Sequence, residues 1–302
     1  MATMIRIFRT FRTLHSTGGA LTALLISGVL GISAHAEEAD RFAGVSVTAK
    51  PVRGAVYMLE GAGGNIAVSV GNDGTLMVDD QFAPLARRIQ TAIDELGGDS
   101  PKLVLNTHFH GDHTGSNAFF GRSGTIIAHD NVRVRLLSEQ VEPVALPQIT
   151  FDDNVRLFFN GDAIDVVHLP SGHTDGDSFV WFKDANVLHL GDHFFNGRFP
   201  FIDLSSGGSV EGFVTNLRTV LELVPRNALI IPGHGALAGT EELAENLQMI
   251  EKTRQTVRDG IAKGLTTEQI LAEGLDERWA PYGAGFINEE RWIRILVAAE
   301  GG

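Results

Sequence analysis

The chain has 302 residues, of which 43% are apolar and 20% are charged, and its formal net charge is −13. This length accommodates one large domain or two modest ones, and the composition is that of a globular protein. The acidic balance disfavours a nucleic acid partner, because such a surface repels phosphate groups. The sequence contains no cysteine, so the core must hold the fold without disulfides, and any metal site must be built from His, Asp and Glu.

The first 36 residues are predicted to be a secretory signal peptide. Three arginines and no acids precede a mostly apolar or small run over residues 18–32, and Ala34-His35-Ala36 offers small residues at the two positions that a signal peptidase reads. The run is short for a bilayer span, so an uncleaved membrane anchor is the less favoured alternative. Cleavage would move the formal charge from −13 to −16. We therefore expect a periplasmic or secreted protein without stable membrane association.

The rest of the chain, residues 37–302, is expected to form a single domain in which strands and helices alternate. Short apolar runs separated by turn residues predict strands at residues 56–59, 66–70, 75–78, 102–106, 125–129, 155–159, 163–168, 178–182, 187–190 and 228–231. Helical spacing of apolar residues predicts helices at residues 84–96, 132–138 and 210–224, and a helical segment from about residue 241 that includes 266–274 and 288–299. Sheet-rich halves separated by helices indicate a layered α/β fold with helices covering two sheets.

The run His108-Phe109-His110-Gly111-Asp112-His113 is a dense cluster of metal-binding residue types. In an extended segment the side chains of His108 and His110 lie on one face, and a tight turn at Gly111 folds Asp112 and His113 back towards them. Neutral imidazole and carboxylate suit zinc and similar divalent ions. On this motif alone, ordinary surface histidines remain an alternative.

Three later glycine turns each follow an apolar strand and carry a further potential ligand. They are Ser171-Gly172-His173-Thr174, Leu190-Gly191-Asp192-His193 and Pro232-Gly233-His234-Gly235. Strands of one sheet that end side by side bring such residues together on a rigid scaffold. Six or seven ligands distributed in this way fit two metal ions better than one.

These four motifs occur in the order seen in the metallo-β-lactamase superfamily, which the chain resembles over roughly residues 45–240. The resemblance implies a four-layer αββα sandwich with two Zn²⁺ ions at one edge. It implies that one metal is held by His108, His110 and His173, that the other is held by Asp112, His113 and His234, and that Asp192 bridges the two.

This ligand set implies the chemistry of a hydrolase. Two cations lower the pKa of a shared water from about 15.7 towards 7, so that a hydroxide forms near neutral pH and attacks a carbonyl carbon. Asp112 is expected to act as the catalytic residue that orients this nucleophile and carries a proton to the leaving group. The same ligands also suit iron or manganese.

Several other residues near these motifs have two interpretations. His129, His168 and His189 are expected to pack in the core or to support the ligands, whereas His193 either packs or faces the site. The aromatic loop after Asp192 forms either core or an apolar wall for the substrate; it contains Phe194, Phe195, Phe199 and Phe201. The glycine-rich segment 61–65 is a candidate mobile flap.

The expected substrate is a small molecule whose class the motifs leave open. β-Lactamases with a cysteine ligand carry that cysteine where Asp192 stands, and many bind the substrate carboxylate through a lysine where this chain has Phe195, although Arg198 is near enough to substitute. The combination of His113 and Asp192 looks more like glyoxalase II thioesterases and lactonases. Glyoxalase II works inside cells, however, so the expected export favours opening of a cyclic amide such as a β-lactam.

Four alternatives stand beside that leading hypothesis. The first is a thioesterase or lactonase with the same metal pair. The nucleases of the superfamily are disfavoured by the acidic surface and the export pattern, and an oxygenase branch would hold a single iron. The alternative outside catalysis is a periplasmic metal-binding protein that keeps the fold without turnover, against which the complete set of seven ligands argues.

Overall fold

The computed structural model describes residues 41–301, so the predicted signal peptide lies outside the described residues. From Gly44 onward the chain forms one unit, which is built around two mixed sheets. The seven strands of the first sheet lie in chain order, with antiparallel pairing up to the fourth strand and parallel pairing after it. These strands are β1 (Thr48–Arg53), β2 (Val56–Glu60), β3 (Ile66–Gly71), β4 (Gly74–Val78), β5 (Leu103–Leu105), β6 (Thr125–His129) and β7 (Ile149–Phe151).

The second sheet contains six strands within the described residues, in the order β13-β12-β11-β10-β9-β8. These strands are β8 (Asn154–Phe159), β9 (Asp162–His168), β10 (Ser178–Phe182), β11 (Val187–His189), β12 (Leu229–Ile231) and β13 (Ala238–Gly239). The pairing is antiparallel except between β11 and β12, which run parallel. Their carboxyl ends therefore open at the same edge of the sheet.

Helices connect the strands and cover the sheets. In chain order they are α1 (Ala86–Glu95), α2 (Gly111–Thr114), α3 (Asn117–Phe120), α4 (Asp130–Ser138), α5 (Val210–Leu223), α6 (Thr240–Ala262), α7 (Thr267–Glu273) and α8 (Glu289–Gly301). Buried apolar side chains of α5 and α6 share one core cluster with the second sheet, and α8 packs on α6 and α7. Helix α4 packs on β6 of the first sheet through Val132 and Leu136.

Neighbouring side chains along the central strands point alternately into two separate layers of the core. Val187 and Ile231 belong to the apolar cluster between the two sheets, whereas their neighbours Leu188 and Ile230 belong to the cluster under the outer helices. Successive side chains of a strand point to opposite faces, so each central strand contributes to both layers. The predicted αββα sandwich is thus confirmed.

The predicted elements are found within a few residues of their expected bounds, and three strands were missed. β13 was missed because it is only two residues long. β1 was missed because Lys50, Pro51 and Arg53 interrupt its apolar pattern, and β7 because it is only three residues long and two of them are exposed. Within the described part of the chain, no helix is long and apolar enough to span a membrane.

Candidate metal centre

Seven side chains from separate segments meet where strands β5, β9, β11 and β12 end. The structure gathers them into two groups, and within each group the potential ligand atoms lie within 4.8 Å of one another. The first group is His108, His110, His173 and Asp192, and the second is Asp112, His113 and His234. All seven predicted ligands are therefore brought together, and their role in binding metal stays a prediction.

Asp192 lies between the two groups. Its Oδ1 atom is 3.1 Å from His113 Nε2 and 3.4 Å from His234 Nε2, while its Oδ2 atom is 3.6 Å from His173 Nε2 and 3.9 Å from His108 Nε2. One carboxylate oxygen thus faces each group, which is the arrangement that a bridging ligand requires.

The centre leaves buried polar atoms without hydrogen bonds. His108 Nε2, His113 Nε2 and Asp192 Oδ1 are buried and lack a partner with hydrogen-bond geometry, although the last two atoms are only 3.1 Å apart. Such orphaned atoms cost free energy unless something compensates them. Imidazole nitrogens and carboxylate oxygens that converge in this way fit a pair of divalent cations.

Three of the predicted histidine ligands are oriented by a contact to one ring nitrogen. Asp79 Oδ2 accepts a hydrogen bond from His113 Nδ1 at 2.7 Å, and the backbone carbonyl of Phe201 accepts one from His173 Nδ1 at 2.7 Å. His110 Nε2 lies 3.2 Å from Asp203 Oδ2. Contacts of this kind fix the ring and its tautomer, so that the other nitrogen is presented to a metal.

Burial and opposite charges act together on the ionisation of these groups. Burial raises the pKa of Asp192, but His234 and His113 outweigh it and hold that pKa well below its ordinary value. Burial lowers the pKa of His234, yet Asp192 and Asp112 raise it to about 9. Burial lowers the pKa of His173 to about 4. Asp192 is therefore anionic and His173 neutral at pH 7, as metal ligands must be, whereas His234 carries a proton that a metal ion would have to displace.

The glycine-rich segment 61–65 lies directly against the centre. Gly64 donates a backbone hydrogen bond to Asp112, and Asn65 donates one to Gly233. A methyl group built on Gly64 would lie 2.1 Å from the Cε1 atom of His113. Glycine is therefore needed here for close approach, and the predicted role as a mobile flap remains untested.

The remaining histidines lie outside the two groups. His129 and His168 stack on each other with ring centroids 3.8 Å apart, and His189 Nε2 lies 2.9 Å from the carbonyl oxygen of Asn65. His193 is 1% exposed and stacks on Phe213 of α5. His129, His168 and His189 support the structure around the site, as predicted, and His193 packs instead of facing the ligands.

The aromatic loop divides between the two interpretations. Phe194 and Phe199 are buried in the apolar core, and Phe195 stacks on the ring of His234 with 7% of its surface exposed. Phe201 is only partly buried, and its ring faces the rings of His110 and His173. Only Phe201 is therefore placed to line a substrate site.

Sequence reasoning missed three residues that shape the centre. Asp79 directly follows the apolar strand β4 and is itself followed by Asp80. Two adjacent carboxylates at the end of a strand were the sequence signal that could have pointed to Asp79. Asp203 contacts His110, and Phe286 contacts Phe201 from the region before α8. Neither of these two has a local motif, because tertiary packing alone brings them to the site.

Comparisons with known proteins find several relatives of this chain. The chain is 27% identical over 157 residues to the metallo-beta-lactamase type 2 of Bacteroides fragilis, a match that covers 52% of this chain and 59% of that enzyme. It is 23% identical to the 2,4-dinitroanisole O-demethylase subunit alpha of Nocardioides sp. (strain JS1661), covering 83% of this chain and 78% of that one. It is 28% identical to a hydroxyacylglutathione hydrolase of Prochlorococcus marinus (strain MIT 9312), covering 66% and 73%.

A solved metallo-beta-lactamase from Pontibacter korlensis shares the fold. It superposes with a TM-score of 0.60 at 14% sequence identity, covering 68% of this chain and 99% of that one. Residues 51–234, which include all seven gathered side chains, match the family model of the metallo-beta-lactamase superfamily. The chain belongs to the metallo-beta-lactamase superfamily.

Proposed function

We propose that the chain is a binuclear zinc hydrolase that cleaves a bond at a carbonyl carbon. The observation that supports this most directly is the position of Asp192, whose two oxygens face two separate groups of ligand atoms. A single-metal site, such as that of an iron oxygenase, needs no second group. When bound, the two cations would supply Lewis acidity and a water of lowered pKa.

Asp112 is suited to handle the proton of this reaction. Its Oδ2 atom lies 3.4 Å from His234 Nε2 and 3.7 Å from His113 Nε2, and a quarter of its side chain is exposed. Burial raises the pKa of Asp112, but the neighbouring His113 and His234 lower it by more. The pKa of Asp112 therefore lies below its ordinary value. Asp112 is therefore a carboxylate at neutral pH and accepts a proton at the open side of the centre.

A β-lactam is the first substrate class that we propose. The likeness to the Bacteroides fragilis enzyme supports this choice. The predicted export also supports it, and fractionation of cells that produce the full chain would test that export. Phe195 is buried against His234 and cannot bind the carboxylate of a β-lactam. Arg198, which is exposed, is the available substitute in this loop, so we expect modest turnover.

A thioester or lactone is the second candidate, favoured by a separate observation. His113 and Asp192 approach to 3.1 Å, so the second group has a second nitrogen-bearing side chain besides His234, and it lies beside the proposed bridging carboxylate. The likeness to the hydroxyacylglutathione hydrolase agrees with this ligand set. Both candidates require the same attack on a carbonyl carbon and differ in the leaving group.

A substrate panel separates the two candidates. Zinc-loaded protein is assayed with nitrocefin, a carbapenem, an acyl-homoserine lactone and lactoylglutathione, each with and without a chelator. Metal-dependent turnover of the first pair alone supports a β-lactamase, and much faster turnover of the second pair supports the alternative. Absence of metal-dependent turnover with all four contradicts the proposed hydrolase.

Replacement of Asp112 separates an enzyme from a metal-binding protein. We expect Asp112→Asn to lose most of the turnover while it keeps much of its zinc, measured by elemental analysis. Asp99→Asn is the matched control, because Asp99 is an exposed carboxylate between α1 and β5. Equal turnover in the two variants would contradict the role of Asp112.

A further inference from the structure

Phe286 is a large apolar side chain that is 75% exposed beside the metal centre. Its ring meets the ring of Phe201 edge to face, with centroids 6.2 Å apart. Phe201 in turn lies 5.9 Å from the ring of His110 and 5.8 Å from that of His173. Two aromatic rings thus extend from the first group of ligands towards solvent.

Both rings are held in place by neighbouring groups. The guanidinium of Arg291 lies 5.2 Å from the centroid of the Phe286 ring, and its Nη1 atom donates a hydrogen bond to the carbonyl of Phe286 at 3.0 Å. Phe201 packs partly into the core, and its carbonyl accepts the hydrogen bond from His173. An exposed aromatic ring that is fixed in this way offers contact area at little entropic cost.

We propose that Phe201 and Phe286 form an aromatic platform that binds an apolar group, preferably an aryl group, of the substrate. This inference rests on the proposed hydrolase function and adds the substrate class. The platform begins at the rings of two predicted ligands, so a substrate whose carbonyl carbon lies at the metals would bring its side chain against the ring of Phe201 and the perpendicular ring of Phe286. Phe286 lies beyond residues 51–234, which match the family model.

The chain offers a matched control for this platform. Phe158 on β8 is 78% exposed, almost the same fraction as Phe286. It lies on the strand at the far edge of the second sheet from β12. Phe158→Ala therefore removes the same exposed apolar surface as Phe286→Ala, but away from the metal centre.

The test measures binding instead of turnover. Phenylacetohydroxamate and acetohydroxamate, which share a metal-binding head and differ by a phenyl group, are titrated calorimetrically into zinc-loaded protein. We expect the phenyl compound to bind more tightly to the wild type, and Phe286→Ala to reduce this preference about 3- to 10-fold. Phe158→Ala should leave the preference unchanged.

Three outcomes would overturn the platform. The first is no preference for the phenyl compound in the wild type, and the second is an unchanged preference in Phe286→Ala. The third is a dimer in sedimentation experiments that Phe286→Ala dissociates, because that result would assign this surface to a second copy of the chain. A hydrolase with an unchanged preference refutes only the platform. A reduced preference in a protein that cleaves none of the carbonyl substrates refutes only the proposed function.

Discussion

Replacement of Gly64 by alanine tests whether close packing of residues 61–65 positions the second group of ligands. The added methyl carbon would lie 2.1, 2.5 and 2.6 Å from three atoms of the His113 ring. To restore a contact of about 3.4 Å, the ring or the segment must move by about 1.3 Å, whereas metal–ligand distances tolerate only about 0.2 Å. Movement of the segment would break the hydrogen bonds from Gly64 to Asp112 and from Asn65 to Gly233.

We therefore expect Gly64→Ala to weaken zinc binding at the second group about 100-fold or more. The measurement is zinc affinity by competition with a chromophoric chelator, together with zinc content per chain. Gly111→Ala is the control, because a methyl group there would have no neighbour within 4 Å. Circular dichroism verifies that both variants fold. Wild-type zinc affinity in folded Gly64→Ala would refute this reasoning.

Three further predictions concern the charges around the centre. Asp192→Asn removes the carboxylate that faces both groups, so turnover and zinc content should fall together. We expect turnover to fall about 100-fold, and full zinc content in this variant would contradict a bridging role. Asp79→Asn should weaken zinc binding about 10- to 100-fold by releasing the His113 ring, and an unchanged affinity would count against it. Burial and the nearby His168 lower the pKa of His129, so the unfolded chain binds a proton at this side chain at a higher pH than the folded chain does. Urea unfolding should therefore show stability that is present above about pH 6.5 and is lost as the pH falls below that value. His129→Asn should flatten this loss, and an equal slope would exclude His129 as its source.

The convergence of the seven candidate ligands could be predicted because each belongs to a turn or short segment that follows an apolar strand. The alternation of Val187, Leu188 and His189 marks a strand with two buried faces, and the turn that follows places Asp192 at its carboxyl end. Parallel pairing of β11 with β12 then brings Asp192 near His234. Local patterns therefore locate the strands and the candidate ligands that follow them, whereas the strand pairing that brings these ligands together is set by the tertiary fold.

The residues that orient the ligands could not be predicted in this way. Asp79 reaches His113 because β4 pairs in parallel with β5, with Val78 opposite Leu105. That register depends on the pairing of two distant strands, which no local pattern specifies. The close packing of segment 61–65 against His113 also depends on tertiary structure. From the sequence alone, its glycines suggested only flexibility. The structure shows a further reason for glycine at this position, because any side chain on Gly64 would displace His113.

We expect the segment from Phe201 to Asp203 to connect metal binding to substrate choice. The carbonyl of Phe201 orients His173 and Asp203 contacts His110, while the ring of Phe201 forms the inner half of the proposed platform. Substitutions here should therefore change metal affinity and specificity together. Phe286 touches no predicted ligand and contacts the centre through Phe201, so its replacement should change specificity alone. Substrate range is then free to vary through the region before α8 while the seven ligands stay the same.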